Sequence, residues 1–233
     1  MTETQAFTGF PMEGLQFLRD LAQNNNKDWF DKHKPTYRAT VQTPALDLVS
    51  ALGERLQTEF PRICYDARTN GGSLMRIYRD TRFSANKAPY KTNVAMMFTP
   101  EGYKRMEAPG FGLQITPEQV ELVVGMFAFS KAQLEIYREA ILDNSKGKAL
   151  IAAVAQVESA GDYILGDKEL KRVPRGYDAK HPRAEWLKYK SLLVYAPPIP
   201  LNIVQTTNLL DVTMNHFKNM APIYRWLISS GIG

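Results

Sequence analysis

The sequence predicts an α+β fold, a single domain in which a largely antiparallel sheet of about four or more strands is flanked by N- and C-terminal helices. Two observations carry this prediction. Helical periodicity dominates the chain up to about Phe60 and returns at Ser130, whereas the stretch between them contains extended segments. The 233 residues contain neither a low-complexity linker nor an internal repeat. We therefore expect one domain over residues 1–233.

Two helices are predicted in the N-terminal part of the chain. Pro11 suits the first turn of the first helix, whose apolar side is formed by Leu15, Leu18 and Ala22. Polar residues from Asn24 onward end it. Asn26 can cap a second helix, in which the following residues share a side: Phe30, His33 and Tyr37. Pro35 predicts a kink or a restart within it.

A third helix is predicted to begin at Thr43, because Pro44 is favoured in a first helical turn. Its buried stripe recurs at helical spacing and consists of Leu48, Leu52, Leu56 and Phe60. Pro61 then ends the helix.

Four extended segments follow, over Ser73 to Arg79, Asn93 to Phe98, Phe111 to Thr116, and Val120 to Phe129. The connection between the last two is too short for the crossover that parallel strands require. A meander is therefore the simplest topology. In the first segment, Arg76 and Tyr78 should point away from Met75 and Ile77, because side chains alternate along a strand.

Helices resume at Ser130, which has capping-box spacing to Gln133. The apolar stripe of this helix is Leu134, Tyr137 and Ile141, and that of the next helix is Leu150, Val154 and Val157. The stretch from Lys168 to Lys190 contains two prolines and a glycine, so we expect mostly loop and a short segment around Trp186 and Leu187. A terminal helix should run through Leu210, Met214 and Phe217.

The net charge of +5 is unevenly placed. The segment from Arg76 to Lys91 has five basic residues and one acidic residue, and the segment from Lys168 to Lys190 has eight and three. The rest of the chain is acidic. A basic surface on an acidic body is typical of a protein with a negatively charged partner, although solvated lysine-rich faces are also common.

Several classes of chemistry lack their signatures. The sequence has no Gly-rich phosphate loop, no GxSxG elbow, no HExxH and no pair of CxxC motifs. Its three histidines are far apart, so we expect no metal site, and the residues indicate no cofactor. A lone cysteine, a polar N-terminus and the lack of a long apolar run predict a cytoplasmic protein without a membrane segment.

The most informative stretch is RIYRDTRFSANKAPYKTN, from Arg76 to Asn93. Guanidinium forks match phosphate or carboxylate oxygens, and lysine adds a mobile charge. We expect a ligand-binding surface where this stretch meets the loop from Arg175 to His181. The candidate residues are Arg76, Arg79, Asp80, Arg82, Lys87, Tyr90 and Lys91 in the first segment, with Arg175, Tyr177 and His181 in the second.

Two features of this stretch have alternative interpretations. Asp80 should stay ionised beside arginines and orient them, because their charge stabilises the carboxylate. An Arg-Asp network that only ties a turn to the body is an equal alternative. Tyr78, Phe83 and Tyr90 interleave with the basic residues as stacking platforms do, but we favour packing for these rings.

Three stretches resemble the bacterial and fungal family catalogued as domain of unknown function 2461. They are NNNKDWFDKHKPTYRA from Asn24, the central stretch above, and VPRGYDAKHPRAEWLKYKSL from Val173. The resemblance spans about Phe10 to beyond Lys190, and it implies no activity, cofactor or catalytic residue. The position before Lys87 is often aspartate in that family and is Asn86 here.

The leading functional hypothesis is binding of a phosphate- or carboxylate-bearing small molecule, and whether catalysis follows is open. His181 is the one candidate for proton transfer. The alternatives are a nucleic-acid-binding domain, which requires a positive stripe with exposed rings, and a structural protein whose arginines pair with internal acids. The sequence does not define the oligomeric state.

Overall fold

The N-terminal helices are longer and more continuous than their prolines suggest. The computed structural model describes residues 7–82, 84–103 and 105–233. Helix α1 (Met12–Gln23) is followed by α2 (Lys27–Tyr37), a π-helical segment (Arg38–Gln42) and α3 (Thr43–Glu59).

No break separates α2, the π-helical segment and α3. Thr43 has right-handed helical dihedrals, and its amide donates to the Arg38 carbonyl five residues earlier. The predicted start of α3 at Thr43 is confirmed, but α3 continues the preceding helical segment directly. Pro35 lies inside α2, so the restart considered at this position does not occur. The predicted Asn26 cap is confirmed, because its side chain accepts a hydrogen bond from the Trp29 amide. In α1, Leu21 is buried where we expected Ala22.

Seven strands among the described residues form one sheet with the order β1-β2-β3-β4-β6-β5, and β7 also pairs with β4. The strands are β1 (Ile63–Cys64), β2 (Val94–Pro100), β3 (Gly110–Ile115), β4 (Gln119–Met126), β5 (Ile164–Leu165), β6 (Leu192–Tyr195) and β7 (Ile199–Pro200). The predicted meander is confirmed by the neighbouring β2, β3 and β4. The pairings of β4 with β6 and β7, and of β5 with β6, are antiparallel.

The predicted strand over Ser73 to Arg79 is not a strand of this sheet. Its backbone bends at Ile77 and makes only isolated bridges, at Leu74 with Met96 and at Tyr78 with Tyr90. The alternation of side chains survives in part, since Ile77 is buried and both Arg76 and Tyr78 are exposed.

The remaining helices are α4 (Lys131–Leu142), α5 (Asn144–Ser159), α6 (Leu201–Val204) and α7 (Asn208–Ser229), with a 3₁₀ turn over Ala184–Lys188. The capping box of Ser130 and Gln133 is confirmed in both of its hydrogen bonds. Tyr137 and Ile141 in α4 are buried, and so is the predicted stripe of α5. The single-domain α+β class is therefore confirmed. No helix in the described part of the chain is both long and apolar enough to cross a membrane.

Contacts between Cα atoms divide the chain into two units. Unit 1 comprises the described residues of Met1–Phe98, Gly112–Glu121 and Pro198–Met214. Unit 2 comprises those of Thr99–Phe111, Leu122–Pro197 and Asn215–Gly233. The first basic segment belongs to unit 1 and the second belongs to unit 2.

The core of unit 1 depends on close approach of α1 to the π-helical segment. Gly14 lies so near Thr40 that a Cβ atom at this position would overlap the Thr40 carbonyl oxygen and reach 2.9 Å from the Phe10 ring. Phe10 is fully buried, so its ring has little room to move away, and the Thr40 carbonyl belongs to the backbone of the π-helical segment. Glycine is therefore required for packing rather than for its backbone freedom.

Replacing Gly14 with alanine should lower the free energy of unfolding by about 1–3 kcal/mol, since overpacking outweighs the gain in helix propensity. Chemical denaturation measures this directly. Gly166→Ala is the matched control, because its Cβ would make ordinary contacts at 3.5 Å. Equal stability of the two variants would contradict the close approach.

Candidate functional site

The base of the first basic segment is held against the turn between α1 and α2. The Asn25 side chain donates to the Tyr90 carbonyl at 2.9 Å and accepts from the Tyr90 amide at 3.0 Å. The Tyr90 ring is 3% exposed and stacks on Phe30, with ring centroids 4.1 Å apart. Tyr90 is thus a packing residue, as we favoured for the rings of this stretch. Phe83 lies outside the described residues.

Backbone hydrogen bonds make residues 77–91 a hairpin-like loop. The Lys91 amide donates to the Ile77 carbonyl at 2.7 Å, and the Arg79 amide donates to the Pro89 carbonyl at 2.9 Å. The described residues between Arg79 and Pro89 form the tip. The seven candidate residues of the first basic segment therefore have different surroundings, depending on whether they lie near the base or at the tip of this hairpin.

A cleft of about 410 Å³, here called the Arg76 cleft, lies between the hairpin base and the helix of α2 and the π-helical segment. Its lining residues are Phe30, Lys34, Tyr37, Arg38, Gln42, Thr69, Asn70, Leu74, Met75, Arg76, Ile77 and Tyr78. This set contains three cationic side chains and no carboxylate. Lys34, Arg38 and Arg76 are exposed, and none of them forms a salt bridge with a described residue.

Three helical residues of this cleft were not among the residues predicted from the sequence, namely Lys34, Arg38 and Gln42. The signal is present, because Phe30, Lys34, Arg38 and Gln42 recur every four residues along one helical face. The predicted kink or restart at Pro35 and the new helix predicted at Thr43 divide these positions among different helices, whereas the helical segments are continuous in the structure. The π-helical turn supplies two of them, and such turns are frequent at functional sites.

Tyr37 contributes a neutral hydroxyl to the Arg76 cleft. Burial, and to a lesser extent the neighbouring Tyr78, raise the pKa of Tyr37 to about 12. The phenol therefore stays protonated at neutral pH. It can donate or accept a hydrogen bond but does not supply an anion.

A second cleft, here called the Asn93 cleft, also measures about 410 Å³. It is lined by Ala22, Asn25, Arg79, Asn86, Ala88, Tyr90, Lys91, Thr92 and Asn93. Two of its asparagine side chains form structural hydrogen bonds. Asn25 bonds to Tyr90, and Asn86 Oδ1 accepts from the Ala88 amide at 2.9 Å. Asn93 Oδ1 is buried and has no hydrogen-bond partner among the described residues.

The remaining candidates of the first segment stabilise the hairpin tip. Arg82 donates to both Asp80 oxygens, at 3.0 and 2.7 Å, and its amide donates to Asp80 Oδ1 at 3.2 Å. Lys87 Nζ donates to the Thr81 carbonyl at 2.9 Å. Asp80 therefore orients an arginine, as predicted, but the pair is exposed rather than buried.

These contacts also fix the charge of Asp80. The pKa of Asp80 is lowered to about 2, mainly by hydrogen bonds from the Arg82 side chain and amide and to a lesser extent by the charges of Arg82 and Arg76. A carboxyl group with this pKa is ionised at neutral pH and is a poor general base. Asp80 is thus unsuited to proton abstraction.

Arg82→Gln should raise the pKa of Asp80 from about 2 toward 3.8, because the largest stabilising contacts of the carboxylate are lost. Carbon-13 NMR titration of the Asp80 carboxyl reports the midpoint. Since the folded-state pKa is the lower one, the pair stabilises folding above about pH 4, and this contribution is lost as pH falls through about 2. Arg68→Gln, which removes a similar pair with Asp66, should leave the Asp80 midpoint unchanged. An Asp80 titration midpoint that is the same in Arg82→Gln as in the parent protein would show that Arg82 does not lower the pKa of Asp80.

The second basic segment belongs to unit 2, and part of it is engaged in structural contacts. Tyr177 packs beneath Arg138, whose guanidinium carbon lies 5.5 Å from the ring centroid. His181 Nδ1 accepts the Arg183 amide at 3.1 Å, which leaves Nε2 for other partners. Arg175 is exposed. A site shared between the two basic segments stays a prediction.

Arg183 is the structural centre of this segment and was not among our candidates. It is 9% exposed and caps the C-terminal end of α4 through the carbonyls of Ile141, Leu142 and Asp143, at 2.6, 3.1 and 3.2 Å. Lys168 and Lys188 both contact Glu185, and their hydrogen bonds lower its pKa to about 2. Three of the eight positive charges in this segment therefore serve the fold.

Arg183→Met should destabilise the protein by more than about 2 kcal/mol, because carbonyls at the end of α4 lose a buried donor. Arg175→Met should change stability by less than about 0.5 kcal/mol, as exposed substitutions usually do. Urea denaturation of both variants provides the comparison. Similar losses would mean that Arg175 also has a structural partner.

The described residues contain no group of three or more histidine, cysteine, aspartate or glutamate side chains placed to hold a metal ion. The fold and the clefts thus define an α+β protein with a cleft in unit 1 that is lined by three cationic side chains and by no carboxylate among its described lining residues. The chain belongs to the family described as conserved hypothetical protein (DUF2461), whose model matches residues 13–226. This match confirms the resemblance read from the three motifs. A comparison with curated proteins found no significant match.

Proposed function

We propose that the protein binds a small molecule through a phosphate or carboxylate group in the Arg76 cleft. The observation that carries this proposal is the grouping of Lys34, Arg38 and Arg76 around one cleft without a carboxylate among its described lining residues. The proposal narrows the expected basic surface to one side of the hairpin. It also assigns binding roles to two residues that the sequence analysis did not select.

Electrostatics supports an anionic ligand. Like charges that share a cleft repel one another, and the field between low-dielectric walls is stronger than at a flat surface. An anion removes this repulsion when it binds. Arg38 and Arg76 offer planar donor forks for two oxygens each, and Lys34 adds a charge that can follow the ligand.

The backbone supports a preformed site. Lys34 and Arg38 lie on an unbroken helix, and Arg76 lies on a segment whose neighbour Met75 donates to the Ala95 carbonyl at 2.8 Å. Cationic groups on regular, hydrogen-bonded backbone lose less conformational freedom on binding than groups on a loose loop. The exposed side chains still have to become ordered.

Binding without catalysis is the better supported function for this cleft. Its described lining residues include no histidine, cysteine, aspartate or glutamate, and the pKa of Tyr37 is raised to about 12. General acid–base catalysis works best with a group whose pKa is near the operating pH. We place the activity in the cytoplasm, where a lone, half-buried Cys64 suits the reducing conditions.

The purely structural alternative accounts for some of the basic residues. Arg82 pairs with Asp80, and Arg183 caps α4. It does not account for Lys34, Arg38 and Arg76, which form no salt bridge with described residues. These three residues are the reason for preferring a ligand.

Inorganic phosphate should raise the melting temperature of the protein, because a ligand that binds only the folded state stabilises it by mass action. Sodium chloride at matched ionic strength controls for screening. Calorimetric titration with phosphate should show Arg76→Gln weakening binding by roughly tenfold or more, as expected for a lost charge-assisted hydrogen bond. Without phosphate, the melting temperature of this variant should equal or exceed that of the parent protein.

Arg62→Gln is the matched control, because Arg62 is an exposed arginine of unit 1 that does not line the cleft. It should leave phosphate binding unchanged. Two outcomes would sink the proposal: a melting temperature that responds to phosphate no more than to chloride, or equal loss of binding in the two variants.

A further inference from the structure

The Arg76 cleft also contains a partly exposed aromatic ring in a fixed position. Tyr78 is 48% exposed, whereas Phe30, Tyr37 and Tyr90 are 1%, 8% and 3% exposed. The Tyr78 ring packs edge-on against Phe30, with ring centroids 6.4 Å apart, and is tilted against Tyr90, with ring centroids 5.3 Å apart. Two buried rings thus hold Tyr78 from behind, and its outer side faces solvent.

We propose that the ligand of the Arg76 cleft is a nucleoside monophosphate whose base stacks on Tyr78 while its phosphate binds Arg76, Arg38 and Lys34. This inference rests on the anion binding proposed above and adds the remainder of the ligand. Aromatic side chains are general stacking partners for bases, because every base has a π face.

The spacing of the two contact groups fits a ring and a phosphate in one small molecule. Arg76 and Tyr78 flank a bend at the buried Ile77, and both side chains line the same cleft. Because the two residues are only two positions apart, their Cα atoms are at most about 7 Å apart. A ribose separates a base from a 5′-phosphate by a distance of this order, so one ligand can reach both groups.

The polar rim of the cleft distinguishes a base from a plain aromatic ring. Gln42, Thr69 and Asn70 line the cleft, and their side chains make no hydrogen bond with described residues. A carboxamide offers both a donor and an acceptor, which is the pattern that Asn and Gln use to read a base edge. An unsubstituted aromatic ring offers these groups no hydrogen-bond partner, so they would gain nothing from its binding.

The size of the cleft favours one nucleotide over a strand. A volume of about 410 Å³ falls in the range of small-molecule sites, ~300–1,000 Å³. Single-stranded nucleic acid is usually bound along a groove that spans several nucleotides and offers several rings. In the described part of unit 1, Tyr78 is the one aromatic side chain that is more than about a third exposed.

Calorimetric titration at physiological salt with the four nucleoside 5′-monophosphates, ribose 5-phosphate and inorganic phosphate tests the inference. At least one nucleotide should bind about fivefold or more tightly than ribose 5-phosphate, the lower end of one stacked base. Tyr78→Leu, which keeps an apolar side chain against Phe30 and Tyr90, should remove this difference. Tyr78→Phe should retain it, because the π face is preserved.

The outcomes separate the two proposals. If ribose 5-phosphate binds as tightly as every nucleotide, or if Tyr78→Leu leaves the preference intact, the nucleotide inference is overturned and the anion site stands. If neither phosphate nor any nucleotide binds, both proposals fail. A single-stranded decanucleotide that binds far more tightly than any monomer, with a steep dependence on salt, would replace the free nucleotide with a nucleic-acid strand.

Discussion

The cationic cleft depends on how Asn25 holds Tyr90. One side-chain amide satisfies both backbone groups of Tyr90 and so stands in for a neighbouring strand at the base of the hairpin. Each hydrogen bond contributes about 0.5–1.5 kcal/mol, and the stacked Phe30 and Tyr90 rings add to it. Together with the hydrogen bond from the Met75 amide to the Ala95 carbonyl, this anchor fixes the segment that carries Arg76 and Tyr78. The cleft therefore depends on contacts between parts of the chain that are distant in sequence.

The positive charges of the protein have separate tasks, although the sequence presents them as two similar clusters. At the hairpin tip, Arg82 pairs with Asp80, and Lys87 donates to a backbone carbonyl. In unit 2, Arg183 replaces the missing hydrogen-bond donors at the end of α4. These charges stabilise backbone. A count of basic residues thus overestimates the charge available to a ligand, and only the contacts of each side chain show which charges remain.

Local sequence signals predicted much of the fold. The Asn26 cap, the Ser130 capping box and the leucine stripe of α3 depend on residues within a few positions of one another, and all are present. The strands that we missed are β1, β5, β6 and β7, of two to four residues each. Such strands have no internal periodicity and exist because a partner lies beside them. The segment from Ser73 to Arg79 shows the opposite: its sequence has the alternation typical of a strand, but its backbone forms only isolated bridges.

The sequence likewise predicted only part of the candidate site. The central motif directed attention to Arg76, but its pattern could not show that Arg82 turns toward Asp80 while Arg76 borders a cleft. Lys34 and Arg38 have the required spacing, and two prolines concealed the continuity of their helix. Proline lowers the stability of a helix without forbidding it where neighbouring contacts compensate. For this reason a sequence pattern locates the hairpin better than it locates the helical side of the cleft.

The π-helical turn at Arg38–Gln42 also has a geometric consequence for the long helix. Hydrogen bonds to the fifth residue place one extra residue in the turn, and one residue corresponds to about 100° of rotation about the helix axis. The π-helical turn therefore rotates the side chains of α3 about the helix axis relative to those of α2. Before it, Phe30 and Lys34 are aligned with the cleft; after it, Leu48, Leu52 and Leu56 are aligned with the core. The N-terminal part of this continuous helix can therefore face the cleft while its C-terminal part faces the core, although the two sides point in different directions around the helix axis.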